Sequence, residues 1–216
     1  MNTDFARQQM VQQQVRTWDV VDRTTLAVMA SVPREQFVAA GFEALAFAET
    51  ALPIGHNQFM MAPNLEGRLL QALGVRRGER VLEIGTGSGF LTACLGRLAA
   101  FVTSIDIHED FLEAAGANLK DAGVNNFELQ AMDGTVELPQ SGFDVIAVTG
   151  SIEVYDPRYA LALNPGGRLF VVVGHAPAME ARLIERVDDN DWRTTSLFET
   201  VLAPLVNAAL PRQFSF

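Results

Sequence analysis

Short apolar runs and helical segments alternate along the sequence after Gly78, and this alternation limits the fold more than any other property of the chain. The apolar runs are ERVLEI, FVTSIDI, FELQAM, FDVIAVT and RLFVVVG. Strands that are apolar on both faces and alternate with helices are typical of a parallel sheet covered on both sides. The pattern therefore predicts a doubly wound α/β fold, to which residues 192–206 can add one or two closing strands.

The residues before this alternation are predicted to form a helical lead-in and a long loop. Between residues 3 and 48, apolar side chains recur at helical spacing, with Thr24 and Pro33 as breaks. Residues 50–64, TALPIGHNQFMMAPN, have no clean period and contain two prolines and a glycine, which is typical of a functional loop. Helical spacing resumes at Leu65. We therefore expect a lead-in and loop at residues 1–64 and an α/β domain at residues 65–216, forming one compact unit.

Composition limits the class of protein and its partners. With 216 residues, of which 49% are apolar and 19% charged, the chain is predicted to be globular with one main domain. A formal net charge of −10 argues against nucleic-acid binding. The N-terminus resembles no secretory signal and no apolar stretch is long enough to span a membrane. We therefore expect a soluble, cytoplasmic protein, and a monomer by default because the sequence carries no signal of oligomeric state.

The sequence predicts neither a disulfide nor a metal site. Cys94 is the only cysteine, and the three histidines, His56, His108 and His175, lie far apart in the chain. Dispersed histidines are more often structural than metal ligands, although folding can bring them together. His56 is also a candidate substrate contact, for which an ordinary loop histidine is the simpler interpretation.

A glycine-rich turn follows the first predicted sheet strand, in the segment VLEIGTGSGF at residues 81–90. Glycines at this point let the backbone turn sharply and let a ligand approach the next helix. The turn departs from a dinucleotide fingerprint because its third glycine, Gly89, comes one residue early and Phe90 takes the place of a small residue. Glu83 would oppose a pyrophosphate but can pair, directly or through water, with an ammonium group. S-adenosylmethionine has that group and no phosphate.

Two further acids are predicted at successive strand ends. Asp106 lies about 20 residues beyond the glycines, where an acid accepts the ribose hydroxyls, and Asp133 can accept from an adenine amino group. Each acid has a simpler alternative as a helix cap or turn residue, but their joint placement favours an adenosine cleft. The candidate cofactor-binding residues are Glu83, Gly85, Thr86, Gly87, Ser88, Asp106, Ile107, Asp133, Gly134 and Thr149.

Most of the chain resembles the protein-L-isoaspartate O-methyltransferase family. The likeness rests on MVQQQVRTWDVVD, VPREQFVAAGF, ALPIGHNQ, VLEIGTGSGF, TSIDI, MDGT, FDVIAVTGS and LNPGGRLFVVVG. The resemblance implies a Rossmann-like methyltransferase fold whose seven-stranded sheet has one antiparallel strand near its edge. It also implies protein repair by transfer of a methyl group from S-adenosylmethionine to the carboxylate of isoaspartyl residues in damaged proteins or peptides.

The chain departs from the family in the loop. Family members carry Thr-Ile-Ser after the loop glutamine, whereas Phe59, Met60 and Met61 follow Gln58 here. Phe59 and Met61 can pack the loop onto the core or line the site. The alternatives are therefore a divergent methyltransferase for another carboxylate or small molecule, and a cofactor-binding homologue without turnover. The candidate catalytic and acceptor-contacting residues are Asn57, Gln58, Phe59, Met61, Thr149 and Ser151.

Overall fold

A computed structural model describes residues 3–139 and 141–211. The N-terminal part contains helix α1 (Thr3–Met10), helix α2 (Arg23–Ser31), the antiparallel pair β1 (Leu52–Gly55) and β2 (Gln58–Met60), and helix α3 (Pro63–Leu73). A π-helical turn at Val11–Val15 and 3-10 turns at Arg16–Trp18, Arg34–Gln36 and Glu43–Leu45 join these elements. The helical lead-in predicted from the sequence is confirmed as far as Ser31, beyond which only short helical turns occur.

The rest of the described chain builds one sheet. Its strands are β3 (Arg80–Ile84), β4 (Phe101–Asp106), β5 (Phe127–Ala131), β6 (Phe143–Ile152), β7 (Leu163–His175), β8 (Ala178–Arg186) and β9 (Trp192–Thr200). The helices between them are α4 (Phe90–Leu98), α5 (Glu109–Asp121) and α6 (Pro157–Leu161). The strand order is β5-β4-β3-β6-β7-β8-β9. Strand β8 runs in the opposite direction to the other six strands, which are parallel to one another. The doubly wound, mostly parallel seven-stranded sheet is therefore confirmed.

Strand β3 lies where the strand order reverses. The chain continues from β3 to β4 on one side and later returns to place β6 on the other side. In open α/β sheets the crevice outside the carboxyl ends of the strands at such a point is the usual ligand site. The glycine turn after Ile84 opens at this crevice.

Alternate residues along the central strands pack into two separate cores. Val81 and Val145 belong to the core that also contains the lead-in and α3, whereas Leu82, Ile84 and Ile146 belong to the core on the opposite face. This alternation follows from the two-residue period of a strand. It explains why the strands read as continuous apolar runs in the sequence.

The structure corrects three details of the sequence prediction. Thr24 is not a break, because α2 begins at Arg23 and the Asp22 carboxylate caps it by accepting from the Thr25 amide at 2.7 Å. Residues 50–64 are not an irregular loop, because β1 and β2 form a hairpin that turns at His56 and Asn57, both at positive φ. Strand β8 was not predicted. The prediction of one or two closing strands in residues 192–206 is confirmed by β9, after which an isolated bridge joins Pro204 to Ser151.

The division into residues 1–64 and 65–216 stays a prediction. Within the described residues, no helix combines the length and the apolar character that a membrane span needs.

Candidate active site

A cavity of about 470 Å³ lies at the carboxyl ends of the central strands. This volume falls within the range of small-molecule and cofactor sites. The carboxyl ends of β3, β4 and β6 and the turns after β3, β4 and β5 form the cofactor end, which contains all the candidate cofactor-binding residues. The lead-in, the hairpin, α3, β9 and the segment after β9 form the outer end, whose lining includes Trp18, Gln58, Phe59, Met61, Leu65, Arg68, Phe198, Val201, Leu202 and Leu205.

The glycine turn fits tightly beneath the cavity. Gly85 has φ +100°, and a Cβ atom there would lie 2.2 Å from Thr149 Oγ1. Gly87 has φ +50°, and a Cβ atom there would lie 3.1 Å from Ile54 Cδ1 on the hairpin. Both positions therefore favour glycine, because other residues are strained at these φ values, and at Gly85 a side chain also has no room. The bare backbone leaves space for a ligand to approach.

Glu83 is fully buried below the turn and has one carboxylate oxygen without a partner. Its Oε2 accepts hydrogen bonds from the hydroxyls of Thr92 and Ser104, while Oε1 has no hydrogen-bond partner among the described residues. Burial raises the pKa of Glu83 to about 8, although the two hydroxyl groups act to lower it. A buried acceptor that lacks a donor is costly. It suits a ligand that brings a positively charged donor, as the ammonium group of S-adenosylmethionine does.

Asp106 ends β4 and is almost fully buried beside the cavity. Its Oδ2 accepts from the Gly87 amide at 2.9 Å, and its Oδ1 accepts from the His108 amide at 3.0 Å. These two bonds fix the carboxylate against the glycine turn. Each oxygen keeps a second acceptor position, so the arrangement can still receive two hydroxyl groups of a ribose. Ile107, which follows, is partly exposed and lines the same end.

The Asp133 carboxylate accepts more hydrogen bonds from neighbouring residues than the Asp106 carboxylate does. Its Oδ1 accepts from the amide and hydroxyl of Thr135, and its Oδ2 accepts from the Asn207 side chain at 2.8 Å. Partial burial acts to raise the pKa of Asp133, but these hydrogen bonds together lower it. Gly134 packs so closely that a Cβ atom would lie 2.6 Å from Ile84 Cγ2. The pair thus serves the turn, and it also lines the cavity.

Thr86 and Ser88 complete the set of candidate cofactor contacts. The Thr86 and Ser104 hydroxyls lie 2.6 Å apart, which links Thr86 to the hydrogen bonds around Glu83. Ser88 is half-buried, and its hydroxyl accepts from the Phe90 amide at 3.4 Å. The cavity lining contains both residues.

Four of the six candidate catalytic residues line the cavity, namely Gln58, Phe59, Met61 and Thr149. The structure does not bring Asn57 and Ser151 to it. Asn57 is exposed in the hairpin turn, and the Ser151 hydroxyl is buried and donates to the Leu202 carbonyl at 2.8 Å. The Thr149 proton is directed at the carbonyls of Ile84 and Gly85, so the hydroxyl faces a ligand as an acceptor.

Phe59 and Met61 differ in their surroundings although both line the cavity. Phe59 is 46% exposed, whereas Met61 is 7% exposed and belongs to the hydrophobic core. Met61 thus packs the hairpin down and Phe59 presents an aromatic face to the cavity and solvent. A core role explains Met61 and does not explain Phe59.

A buried ion pair fixes the hairpin to α3. The guanidinium group of Arg34 is fully buried, where it pairs with the Glu66 carboxylate and donates to the carbonyls of Met61 at 2.7 Å and Ala46 at 2.9 Å. Burial raises the pKa of Glu66 to about 7, against the attraction of Arg34. The VPREQF segment that contains Arg34 is therefore bonded to the chain immediately after β2.

The fold brings together two histidines that are remote in the sequence. The rings of His56 and His108 stack with their centroids 4.0 Å apart, and His56 Nε2 lies 2.8 Å from Asp110 Oδ2. These three residues have the ligand types and spacing of a metal group. A metal ion lies in the plane of each imidazole it binds, however, so two nearly parallel rings need one ring to turn before they can share an ion. The arrangement as it stands ties the hairpin tip to α5.

Sequence reasoning missed the residues that complete the outer end of the cavity. Trp18, Leu65, Arg68 and Phe198 come from the lead-in, α3 and β9. Leu65 and Arg68 are three residues apart and share one face of α3, which the helical pattern could have indicated. For Trp18 and Phe198 the sequence carries no local signal, because only the folded chain places them beside the hairpin.

Comparison of the sequence with known proteins identifies its family. The family model "Protein-L-isoaspartate(D-aspartate) O-methyltransferase" matches residues 6–210. A protein-L-isoaspartate O-methyltransferase of Opitutus terrae is 40% identical over 79% of this chain and 73% of that protein. One of Koribacter versatilis is 34% identical over 94% of this chain and 93% of that protein.

The fold matches a Plasmodium falciparum structure described as a protein-L-isoaspartate O-methyltransferase in complex with S-adenosyl-L-homocysteine. The TM-score is 0.79 at 18% identity, covering 92% of this chain and 97% of that chain. A second protein-L-isoaspartate O-methyltransferase structure gives a TM-score of 0.78 at 22% identity, covering 92% of this chain and 65% of that chain. The family model spans nearly the whole sequence, and the Opitutus terrae and Koribacter versatilis proteins are more than 30% identical to it. The chain therefore belongs to the protein-L-isoaspartate (D-aspartate) O-methyltransferase family.

Proposed function

We propose that this protein transfers a methyl group from S-adenosylmethionine to the free carboxylate of isoaspartyl residues in damaged proteins and peptides. Membership of the family carries the enzyme class, an S-adenosylmethionine-dependent O-methyltransferase. The observation that carries most weight at the site is the buried, unpartnered Oε1 of Glu83 beneath the glycine turn. This oxygen can accept a hydrogen bond from the ammonium group of the cofactor, which carries no phosphate that the acid would repel.

The residues of the cofactor end fit S-adenosylmethionine in chemistry and order. Glu83 suits the ammonium group, Asp106 suits the ribose hydroxyls, and Ile107 offers an apolar surface to the adenine. When bound, the cofactor supplies a methyl group already activated by a sulfonium charge. The chain itself contributes a bare glycine backbone that lets the ligand lie close to β3.

The acceptor chemistry needs no general base. A carboxylate is ionised near neutral pH because its ordinary pKa is about 4, so no proton has to be removed before the methyl group is transferred. Catalysis then depends on alignment of the oxygen and on exclusion of water. The hairpin and the segment after β9, which cover the outer end of the cavity, are the elements of this chain placed to do both.

The exposed position of Phe59 favours a second candidate function, methylation of a more apolar carboxylate. Phe59 presents its ring where the family pattern has a hydroxyl, and Trp18 and Phe198 line the same end. The cytoplasmic location, the monomeric state and the absence of a nucleic-acid partner stay predictions from the sequence.

Transfer of radiolabelled methyl from S-adenosylmethionine tests the proposal. The acceptors are an isoaspartyl peptide and its normal aspartyl twin, and a matched reaction contains phenylpropionate as an apolar carboxylate. We expect base-labile label in the isoaspartyl peptide alone. Label only in phenylpropionate would favour the second function. If calorimetry shows cofactor binding but no acceptor is labelled, the protein is a cofactor-binding homologue without turnover.

A further inference from the structure

The cavity is rich in acids and poor in cations. Its lining includes five acidic residues, at positions 66, 83, 106, 133 and 199, whereas Arg68 is the only arginine or lysine among the described residues that line it. Glu66 is paired with Arg34 within the core, and burial raises the pKa of Glu83, so the charged acids that remain are those at positions 106, 133 and 199. A carboxylate that enters such a cavity is repelled unless a cation receives it. Arg68 is the side chain of this chain that can do so.

Arg68 is held in place without being neutralised. Its guanidinium carbon lies 3.9 Å from the centre of the Phe198 ring, and the side chain is half-buried. The structure gives Arg68 no hydrogen bond or ion pair to any other described residue. Arg34 and Arg168, by contrast, each bond to a carboxylate and to backbone carbonyls. Stacking on an aromatic face leaves the N–H groups at the edge of the guanidinium plane available.

The neighbours of Arg68 suit a ligand with an anionic group on an apolar arm. Leu65 lies one turn earlier on the same face of α3, and Phe59, Phe198 and Trp18 belong to the same cavity lining. Guanidinium groups bind carboxylates through two parallel N–H donors. An arginine that stacks on an aromatic ring at the apolar, outer end of the cavity therefore has the composition of a carboxylate-binding site.

We propose that Arg68 binds the acceptor carboxylate and sets the preference of the enzyme for anionic acceptors. The proposal rests on the proposed function, in which the acceptor is a carboxylate. Arg68 makes its charge available at the outer end of the cavity, while Phe198 fixes the orientation of the guanidinium plane. The rival explanation is that Arg68 only joins α3 to β9 by stacking, with no contact to the acceptor.

The test uses the full-length protein saturated with S-adenosylhomocysteine. Calorimetry measures the binding of two matched pairs of probes: an isoaspartyl peptide and its carboxamide twin, and phenylpropionate and phenylpropanamide. The variants are Arg68→Gln and Arg68→Lys, with Arg77→Gln as control, because Arg77 is exposed and lies outside the cavity lining. Thermal stability is measured on the same samples. KM for the isoaspartyl peptide is measured separately for each variant, with S-adenosylmethionine in place of S-adenosylhomocysteine.

We expect the wild type to prefer each carboxylate over its amide, and Arg68→Gln to bind carboxylates about 10- to 100-fold more weakly, as is typical of losing a charge-assisted hydrogen bond. Arg68→Lys should recover part of the affinity, and cofactor affinity should not change. Equal preference in wild type and Arg68→Gln, or a fall in stability without loss of preference, would overturn the proposal. Carboxylate preference for phenylpropionate without methyl transfer to the isoaspartyl peptide would uphold the role of Arg68 and refute the isoaspartyl function.

Discussion

The two ends of the cavity are built in different ways. The cofactor end comes from turns at the carboxyl ends of β3, β4 and β5, and its acids are held by backbone amides and hydroxyls. The outer end, which is the acceptor end in the proposed function, comes mainly from the hairpin, α3, β9 and the segment after β9, and its lining is largely aromatic and aliphatic. A polar region at the end of one sheet therefore lies beside an apolar region assembled from separate segments. The difference indicates that cofactor binding and acceptor choice can change independently, as the loop of this chain suggests.

The largest expected effect comes from removing the buried ion pair that attaches the hairpin to α3. Arg34→Ala leaves Glu66 buried without its partner, and we expect the free energy of unfolding to fall by about 3–5 kcal/mol. Denaturant titration measures it. Arg77→Ala, an exposed control, should change it by less than about 0.5 kcal/mol. If Arg34→Ala does not fold, the paired variant Arg34→Met with Glu66→Leu should, because no charge is left buried; failure of both variants would contradict this role of the pair.

The next largest effect is expected from removing the Asp106 carboxylate at the cofactor end. Asp106→Ala should weaken S-adenosylhomocysteine binding by about 1.5–3 kcal/mol, the range for hydrogen bonds to a charged group, while the fold is retained. Calorimetry gives the affinity and circular dichroism checks the fold. Asp106→Asn keeps an oxygen acceptor for the Gly87 amide and should lose less. Unchanged affinity in Asp106→Ala would remove this residue from the cofactor site.

The third prediction concerns the pH dependence of cofactor binding. In the free protein the pKa of Glu83 is about 8, so the carboxyl group is largely protonated at neutral pH. A bound ammonium group lowers that pKa, so binding releases a proton and affinity rises with pH below about 8. We expect a rise of about 10-fold from about pH 6 to about pH 7.5, since a full proton gives tenfold per pH unit at most. In Glu83→Gln the affinity should be nearly flat, and an equal slope in both proteins would contradict the role of Glu83.

The smallest expected effect is that of replacing Phe59 at the acceptor end. Phe59→Thr should change stability by less than about 0.5 kcal/mol, because a residue exposed to this extent contributes little packing. Cofactor affinity should stay constant, and KM for the isoaspartyl peptide should fall by a few-fold. Met61→Ser serves as the contrast, since it removes a buried side chain and should cost about 2–4 kcal/mol of stability. Equal effects of the two changes would show that Phe59 is also a packing residue.

The cofactor end could be predicted from the sequence because its residues follow strands that are clear as apolar runs. The acceptor end could not, because Trp18, Arg68 and Phe198 meet only in the folded chain. Strand β8, AMEARLIER, escaped prediction since alanine, methionine, glutamate, arginine and leucine are all good helix formers. The hairpin escaped because His56-Asn57 at positive φ replaces the usual turn pair that contains glycine.

A crystal structure of the protein with S-adenosylhomocysteine would show directly whether one cavity has a cofactor end and a separate acceptor end. We predict the amino group of the ligand at Glu83 Oε1, directly or through one water, and the ribose hydroxyls at Asp106, with the space beside Phe59 and Arg68 left open. A ligand that occupies the space beside Phe59 and Arg68, or that leaves Glu83 Oε1 without a partner, would contradict the account.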